Sequence, residues 1–254
     1  MTAATIGRGT ATAVAPLVIT GCGVISPAGL GLEALAAAQN PGATDTPPTA
    51  PPTAPGPEAL GGDLPPVPLA AAPDPRVEDF LGKRGTRALD RTTRLALAAV
   101  HGALDALGGP LSEADRGRTG IVIGSGTGSV RSFTDFTRET LVRDKPYLVR
   151  ANHFPTTAMN FCAGQIAIWN DLRGVNTTLA GGRVSALSAV RYARNAIVQG
   201  HIDRALVGSA EELSAQAAWA WHHAGALAPG AAVGEGAAVF AVETPTGAAA
   251  AGRA

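Results

Sequence analysis

Residues 174–211 constrain this chain more than any other stretch. They read as a strand, a tight turn at Ala180, Gly181 and Gly182, a long helix from about Val184, a stop at Gly200 and a second strand. Strands that alternate with helices in this way point to a layered α/β domain. The helix carries a further message. From Val184 to Val198, alanines and aliphatics run nearly all the way round, and Arg191, Arg194 and Asn195 occupy a limited sector. A helix apolar on most faces belongs in an interior. Left uncovered it exposes an apolar patch that soluble monomers rarely tolerate. The sequence therefore predicts that a partner, or a second copy, covers this chain.

The remaining chain fits the same architecture. Residues 17–24 form a compact apolar run ending at Ser26-Pro27, as a buried strand does, and a helix is expected over 32–39. Apolar residues at helical spacing span 87–107, with Gly108 and Gly109 as the stop. A strand over 119–123 leads through Gly124, Gly126 and Gly128 into a helical stretch toward Leu141. Pro155 is expected to open a helix running to Asn170. Strands follow at 174–180, 204–208 and 238–242, with helices at 184–199 and 215–223. The sum is a mostly parallel five-stranded sheet with helices on both faces, one domain over 16–245. Residues 1–15 lack periodicity and read as a disordered tail, and 246–254 as a flexible one. Residues 41–75 are rich in Pro, Ala, Thr and Gly, with Pro-Pro pairs at 47–48, 51–52 and 65–66, and read as a surface loop.

Composition excludes several functions. Twenty basic and 20 acidic side chains give zero formal charge, so bulk charge recruits neither nucleic acid nor an anionic membrane. Cys22 and Cys162 are too few for a disulfide framework or metal cluster, and a reducing compartment is expected. With no spanning apolar run and no secretory start, the expected location is the cytoplasm. The Gly124–Gly128 turn lacks the final glycine of a dinucleotide loop and the lysine of a phosphate loop. His222 and His223, beside Trp219 and Trp221, have no third ligand at useful spacing. Ser185 and Ser188 have no recognisable base. No cofactor or metal is expected.

Five blocks in order resemble the β-ketoacyl synthases, which have the thiolase fold. They are residues 18–29, 120–128, 154–164 continuing through 172–174, the strand–turn–helix of 174–211, and the glycine-acid-glycine turn at Gly234, Glu235 and Gly236. Those enzymes condense acyl units through a cysteine thiolate, with two histidines from their second half. Laid against their pattern without a gap, the nucleophile position falls on Arg183, whose guanidinium stays protonated and cannot attack a thioester. The resemblance covers the first half of such an enzyme, so the two histidines are expected to be absent. A loop ahead of the glycine turn is expected to be missing between Leu227 and Gly234.

The resemblance to the chain-length-factor subunit of type II polyketide synthases is greater, although that subunit carries a Gln-like substitution where this chain has Arg183. It implies a non-catalytic partner of a β-ketoacyl synthase, in transient contact with an acyl carrier protein, that helps shape the acyl tunnel of an acyltransferase-type complex. Phe133, Phe136, Met159, Phe161 and Cys162 are the tunnel or interface candidates, with ordinary core packing as the alternative for each. Val175, Asn176, Thr177, Thr178 and Leu179 form the strand expected to pair across the dimer axis. Gly181 and Gly182 mark the former nucleophile turn. Arg183 itself has three open roles: filling the vacated pocket, forming an ion pair, or binding an anion beside that turn. Two other readings stay open. One is a cysteine-less cyclase or dehydratase, with Glu211, Glu235 or His153 as its acid or base. The other is a scaffold or regulator of a synthase.

Overall fold

The computed structural model describes residues 15–39 and 56–253. The expected N-terminal tail, Ala15 apart, Asn40 and residues 41–55 of the proline-rich loop lie outside the described residues. In chain order the elements are β1 (Val18–Ser26), β2 (Gly29–Leu30), α1 (Leu32–Gln39), α2 (Pro57–Leu60), β3 (Leu69–Ala70), α3 (Glu78–Leu81), α4 (Arg91–Ala106), α5 (Glu113–Arg118) and β4 (Thr119–Gly124). There follow α6 (Val130–Val142), α7 (Phe161–Asn170), β5 (Asn176–Leu179), α8 (Ser185–Val198), β6 (Arg204–Glu211), α9 (Ala215–His223), β7 (Val233–Gly234), β8 (Gly236–Glu243) and α10 (Pro245–Ala250).

The layered α/β reading holds, but the sheet has six strands, in the order β2-β1-β8-β6-β4-β5. It is mixed rather than mostly parallel. β4 pairs in parallel with β5 and β6, whereas β8 runs antiparallel to both β1 and β6. The cause is α9. Glu211 at the end of β6 pairs with Gly236 at the start of β8, so the intervening segment leaves and rejoins the sheet at one end. Helix α9 is therefore an excursion above the strand ends, not a crossover.

Side chains alternate across the sheet with the period of two that pleating imposes. Ile121, Ile123 and Leu206 pack with α4, while Val122, Ala205 and Val207 pack with α8. With both faces covered, every residue of β4 is buried, which explains its unbroken apolar reading. Two glycines set how closely the helices approach. A Cβ on Gly23 would lie 1.9 Å from the Ala99 carbonyl oxygen of α4. A Cβ on Gly124 would lie 2.6 Å from the backbone of Ser185, so the start of α8 sits directly against the end of β4.

Three sequence expectations need correction. The described part of the 41–75 loop is partly ordered: β3 pairs with β7 (Leu69 with Val233), and Leu60, Leu64 and Val67 pack with α9 and Val233. Proline content masked enough leucine and valine for a small satellite core. The expected flexible tail contains α10, which Thr244 caps by accepting from Gly247 N and which Pro245 opens. Arg253 then pairs with buried Glu243 at 2.8 Å. The helix expected from Pro155 starts only at Phe161, after a 3₁₀ turn at Pro155–Thr157. There the Thr156 and Thr157 hydroxyls donate to the carbonyls of His153 and Phe154, each at 2.7 Å, and draw the chain out of the α-helical path. Among the described residues, no helix is long and apolar enough to cross a membrane.

Candidate functional site

A cleft of about 610 Å³ opens at the end of the sheet where β4 and β6 finish. Its floor comes from the turn after β4 (Gly126, Thr127) and from the turn into α8 (Gly182, Arg183, Ser185). Its far wall is Ser209, Glu211 and Glu212 from β6 and its extension. The α9 excursion supplies the roof, through Ala217, Trp221 and residues 226–228 and 231–234. Carboxyl ends of strands in α/β sheets are the usual place for such clefts.

Arg183 lies in a 3₁₀ turn, Gly182–Val184, immediately before α8. Gly182 holds φ at +61°, the left-handed region that lets the chain enter the helix so abruptly. The Arg183 side chain is exposed into the cleft, not packed as a plug. Its guanidinium lies 5.2 Å from the centre of the Trp221 ring, and its Nη2 donates to the Ala226 carbonyl at 3.3 Å. Of the roles left open for Arg183, an ion pair is not formed with any described residue. Ser185 is structural: its buried hydroxyl accepts from Gly181 N at 2.8 Å and donates to the Gly182 or Ser125 carbonyl. No histidine lines the cleft to act as its base.

Two acids share the wall. Glu211 accepts from Gly126 N and from the Ser125 hydroxyl at 3.3 Å, and burial pushes its carboxyl above the ordinary range. Glu212 accepts from the Ser129 and Thr92 hydroxyls and from Arg131 N, all at 3.1 Å. Burial raises it too, and the nearby Asp90 carboxylate adds to the effect. Of the three acid–base guesses from sequence, only Glu211 meets Arg183 in this cleft. Glu235 is buried in an ion pair with Arg91 at 2.6 Å and also accepts from Ala72 N and Leu213 N, each at 3.0 Å. His153 lines a separate hollow with Asp90, Ser132 and Thr156.

The tunnel candidates lie elsewhere and do not form one lining. Phe133 is exposed on α6, while Phe136 is half-buried against Phe154, ring centres 5.8 Å apart. Met159 is partly exposed beside Gly128, and Phe161 half-buried at the start of α7. Cys162 belongs to the main core, where burial first, and Asp90 second, push its thiol far up. In the strand Val175 to Leu179, Val175 precedes β5 and its carbonyl accepts from Ile121 N at 2.7 Å. Asn176, Thr177, Thr178 and Leu179 form the edge strand itself, paired only on its β4 side among the described residues. Helix α8 buries Ala189, Ala193, Ala196 and Ile197 against the sheet but exposes Leu187, Val190 and Val198, and Val184 just before it is exposed too. His222 and His223 pack round Trp219, and no group of three metal-ligating side chains occurs among the described residues.

Trp221 was missed as a site residue. No local pattern joins it to Arg183; the α9 excursion brings them together.

A sequence model described as "Beta-ketoacyl synthase, N-terminal domain" matches residues 15–246. The chain belongs to the β-ketoacyl synthase family. Curated relatives include 3-oxoacyl-[acyl-carrier-protein] synthase 2 of Vibrio cholerae serotype O1, 28% identical over 137 residues, 54% of this chain and 33% of that protein. The same enzyme of Rhizobium meliloti is 31% identical over 136 residues, covering 53% and 32%. The matched part thus spans about a third of these relatives. Among solved structures, the ishigamide ketosynthase/chain length factor is 40% identical with a TM-score of 0.74, covering 91% of this chain and 62% of that one. A β-ketoacyl synthase from Burkholderia phymatum STM815 is 25% identical with a TM-score of 0.76, covering 94% and 62%. The fold is therefore thiolase-like, as the resemblance implied.

Proposed function

We propose that this chain is a non-catalytic, chain-length-factor-like member of the β-ketoacyl synthase family. On this reading it pairs with a complete synthase in type II polyketide, polyene or fatty-acid-like biosynthesis and helps shape the acyl tunnel, with an acyl carrier protein as transient partner. One observation carries the reading: the side chain entering the cleft at the head of α8, where the family pattern calls for a thiol, is Arg183. A guanidinium is neither a nucleophile nor a base at neutral pH. Ser185, which lines the same cleft, is committed to backbone partners. The likeness to a ketosynthase/chain length factor supports the same reading. So do the exposed apolar face of α8 and the open edge of β5, which offer a partner an apolar surface and unpaired backbone groups.

Glu211 favours a second reading, a cysteine-less cyclase or dehydratase acting on carrier-bound chains. A carboxyl whose hold on its proton is strengthened by burial, at the edge of a cleft, suits a general acid. Co-expression with a synthase separates the two. The leading reading expects co-purification and a product whose length changes when this chain is left out. An isolated chain that transforms a carrier-bound substrate, and that loses this activity with Glu211→Gln, supports the second.

A further inference from the structure

Among the described residues, the cleft holds a cation without a counterion. Arg183 contacts a carbonyl oxygen and an aromatic face, and forms no ion pair among those residues. Two carboxylates line the same cleft, and both are held by other donors. Glu211 is tied to the turn after β4 through Gly126 N and Ser125, and Glu212 to Thr92, Ser129 and Arg131 N. Their engagement leaves the guanidinium available to an incoming anion. Trp221 and the Ala226 carbonyl hold it in place without neutralising it, so little side-chain entropy is left to lose on binding. Much of the remaining wall is apolar, including Ala186, Ala217, Leu227 and Val233. The volume, about 610 Å³, lies within the roughly 300–1,000 Å³ of small-molecule sites.

Resting on the reading that no acyl-enzyme forms here, we propose that the cleft binds a free carboxylate borne on an apolar chain. The head group sits on Arg183 and the chain runs along Leu227 and Val233. The guanidinium fork matches a carboxylate and offers nothing comparable to a neutral ester or thioester. A dianion such as a phosphate would meet repulsion from Glu211 and Glu212 with twice the charge. Binding is non-covalent, and the occupant is a released acid, not a thioester in transit.

Calorimetric titration of the full chain with octanoate, methyl octanoate and acetate tests this. Octanoate should bind roughly tenfold or more tightly than the ester, since hydrogen bonds to a charged group exceed neutral contacts by about that factor, and roughly tenfold or more tightly than acetate, since its chain buries several methylene groups along the apolar wall. Arg183→Gln should remove the preference over the ester while leaving ester affinity unchanged. Arg183→Lys, which keeps the charge without the fork, should retain part of it, and it also serves if the glutamine variant misfolds. Equal affinity for octanoate and its ester, no octanoate binding, or a preference surviving in Arg183→Gln overturns the proposal. Acetate binding as tightly as octanoate overturns the apolar half of it. Co-purification with a synthase, read in parallel, separates the two levels: loss of carboxylate binding with pairing intact removes the ligand and leaves the subunit role standing.

Discussion

Replacing Arg91 with Met should destabilise the fold strongly although the arginine is partly exposed. Arg91 donates through Nε and Nη2 to Glu235, at 3.2 and 2.6 Å, and through Nη2 to the Ala72 carbonyl at 2.7 Å. The Glu235 side chain is only 2% exposed, while Arg91 is 27% exposed. Without Arg91 the carboxylate keeps Ala72 N and Leu213 N but loses its counter-charge. Breaking a buried pair from one side costs about 3–5 kcal/mol, and the solvent reaching Arg91 places this case near 3. At about 2–4 °C per kcal/mol for a chain of this size, the melting temperature should fall by roughly 6–12 °C. Urea unfolding of wild type, Arg91→Met, Glu235→Gln and the double variant measures the coupling. The double variant should cost about 2 kcal/mol less than the sum of the singles. A single-variant cost below about 1 kcal/mol, or strict additivity, refutes the reasoning.

Acid should act on the fold in two opposed phases. Burial raises the carboxyls of Asp90, Glu211 and Glu212 in the folded state. Folding therefore takes up protons there, and stability should rise as pH falls from neutral toward the ordinary carboxyl range. Burial also opposes ionisation of Glu243, but hydrogen bonds from Arg253, Thr20 and Arg204 outweigh it and depress that carboxyl from 4.5 to about 2. Its contribution is complete above 4.5 and lost as pH falls through about 2, so Glu243→Gln should flatten the acid limb of a stability–pH curve. An unchanged limb counts against this assignment. Gly23→Ala should cost about 3 kcal/mol or more in urea unfolding, because its Cβ meets the Ala99 backbone, which cannot yield as a side chain can. A loss below 1 kcal/mol would mean that α4 rides higher on β1. Leu187→Glu, on the exposed face of α8, should leave thermal stability near wild type while abolishing association in sedimentation velocity. Association that persists unchanged would place the interface elsewhere.

Much of the architecture is legible in the sequence because local chemistry and tertiary role coincide. The α4 apolar spacing, the unbroken run of β4 and the glycine-bounded α8 each describe one element and the layer that covers it. Sheet direction was not legible. Whether α9 crosses over or returns to the same end depends on where Glu211 and Gly236 meet, 25 positions apart in the chain, and no period encodes that. The order within residues 56–75 was hidden by proline, and α10 by its run of small residues, although Thr244-Pro245 is a readable helix start. At the site, Arg183 stood out because the pattern around it calls for another residue. Trp221 and the tethering of Glu211 to Gly126 were not readable, since each depends on loops brought together at the strand ends. In α8 the alanine stripe is covered by the sheet, while Leu187 and Val198 stay open in the single chain.

Intact-mass spectrometry of this chain, co-purified with a synthase and exposed to a carrier-bound acyl thioester, tests the central claim most directly. The proposed reading, with Arg183 at the nucleophile position, predicts an acyl adduct on the synthase and none here. An acyl group recovered on this polypeptide, mapped by digestion to residues 181–188, would contradict the account.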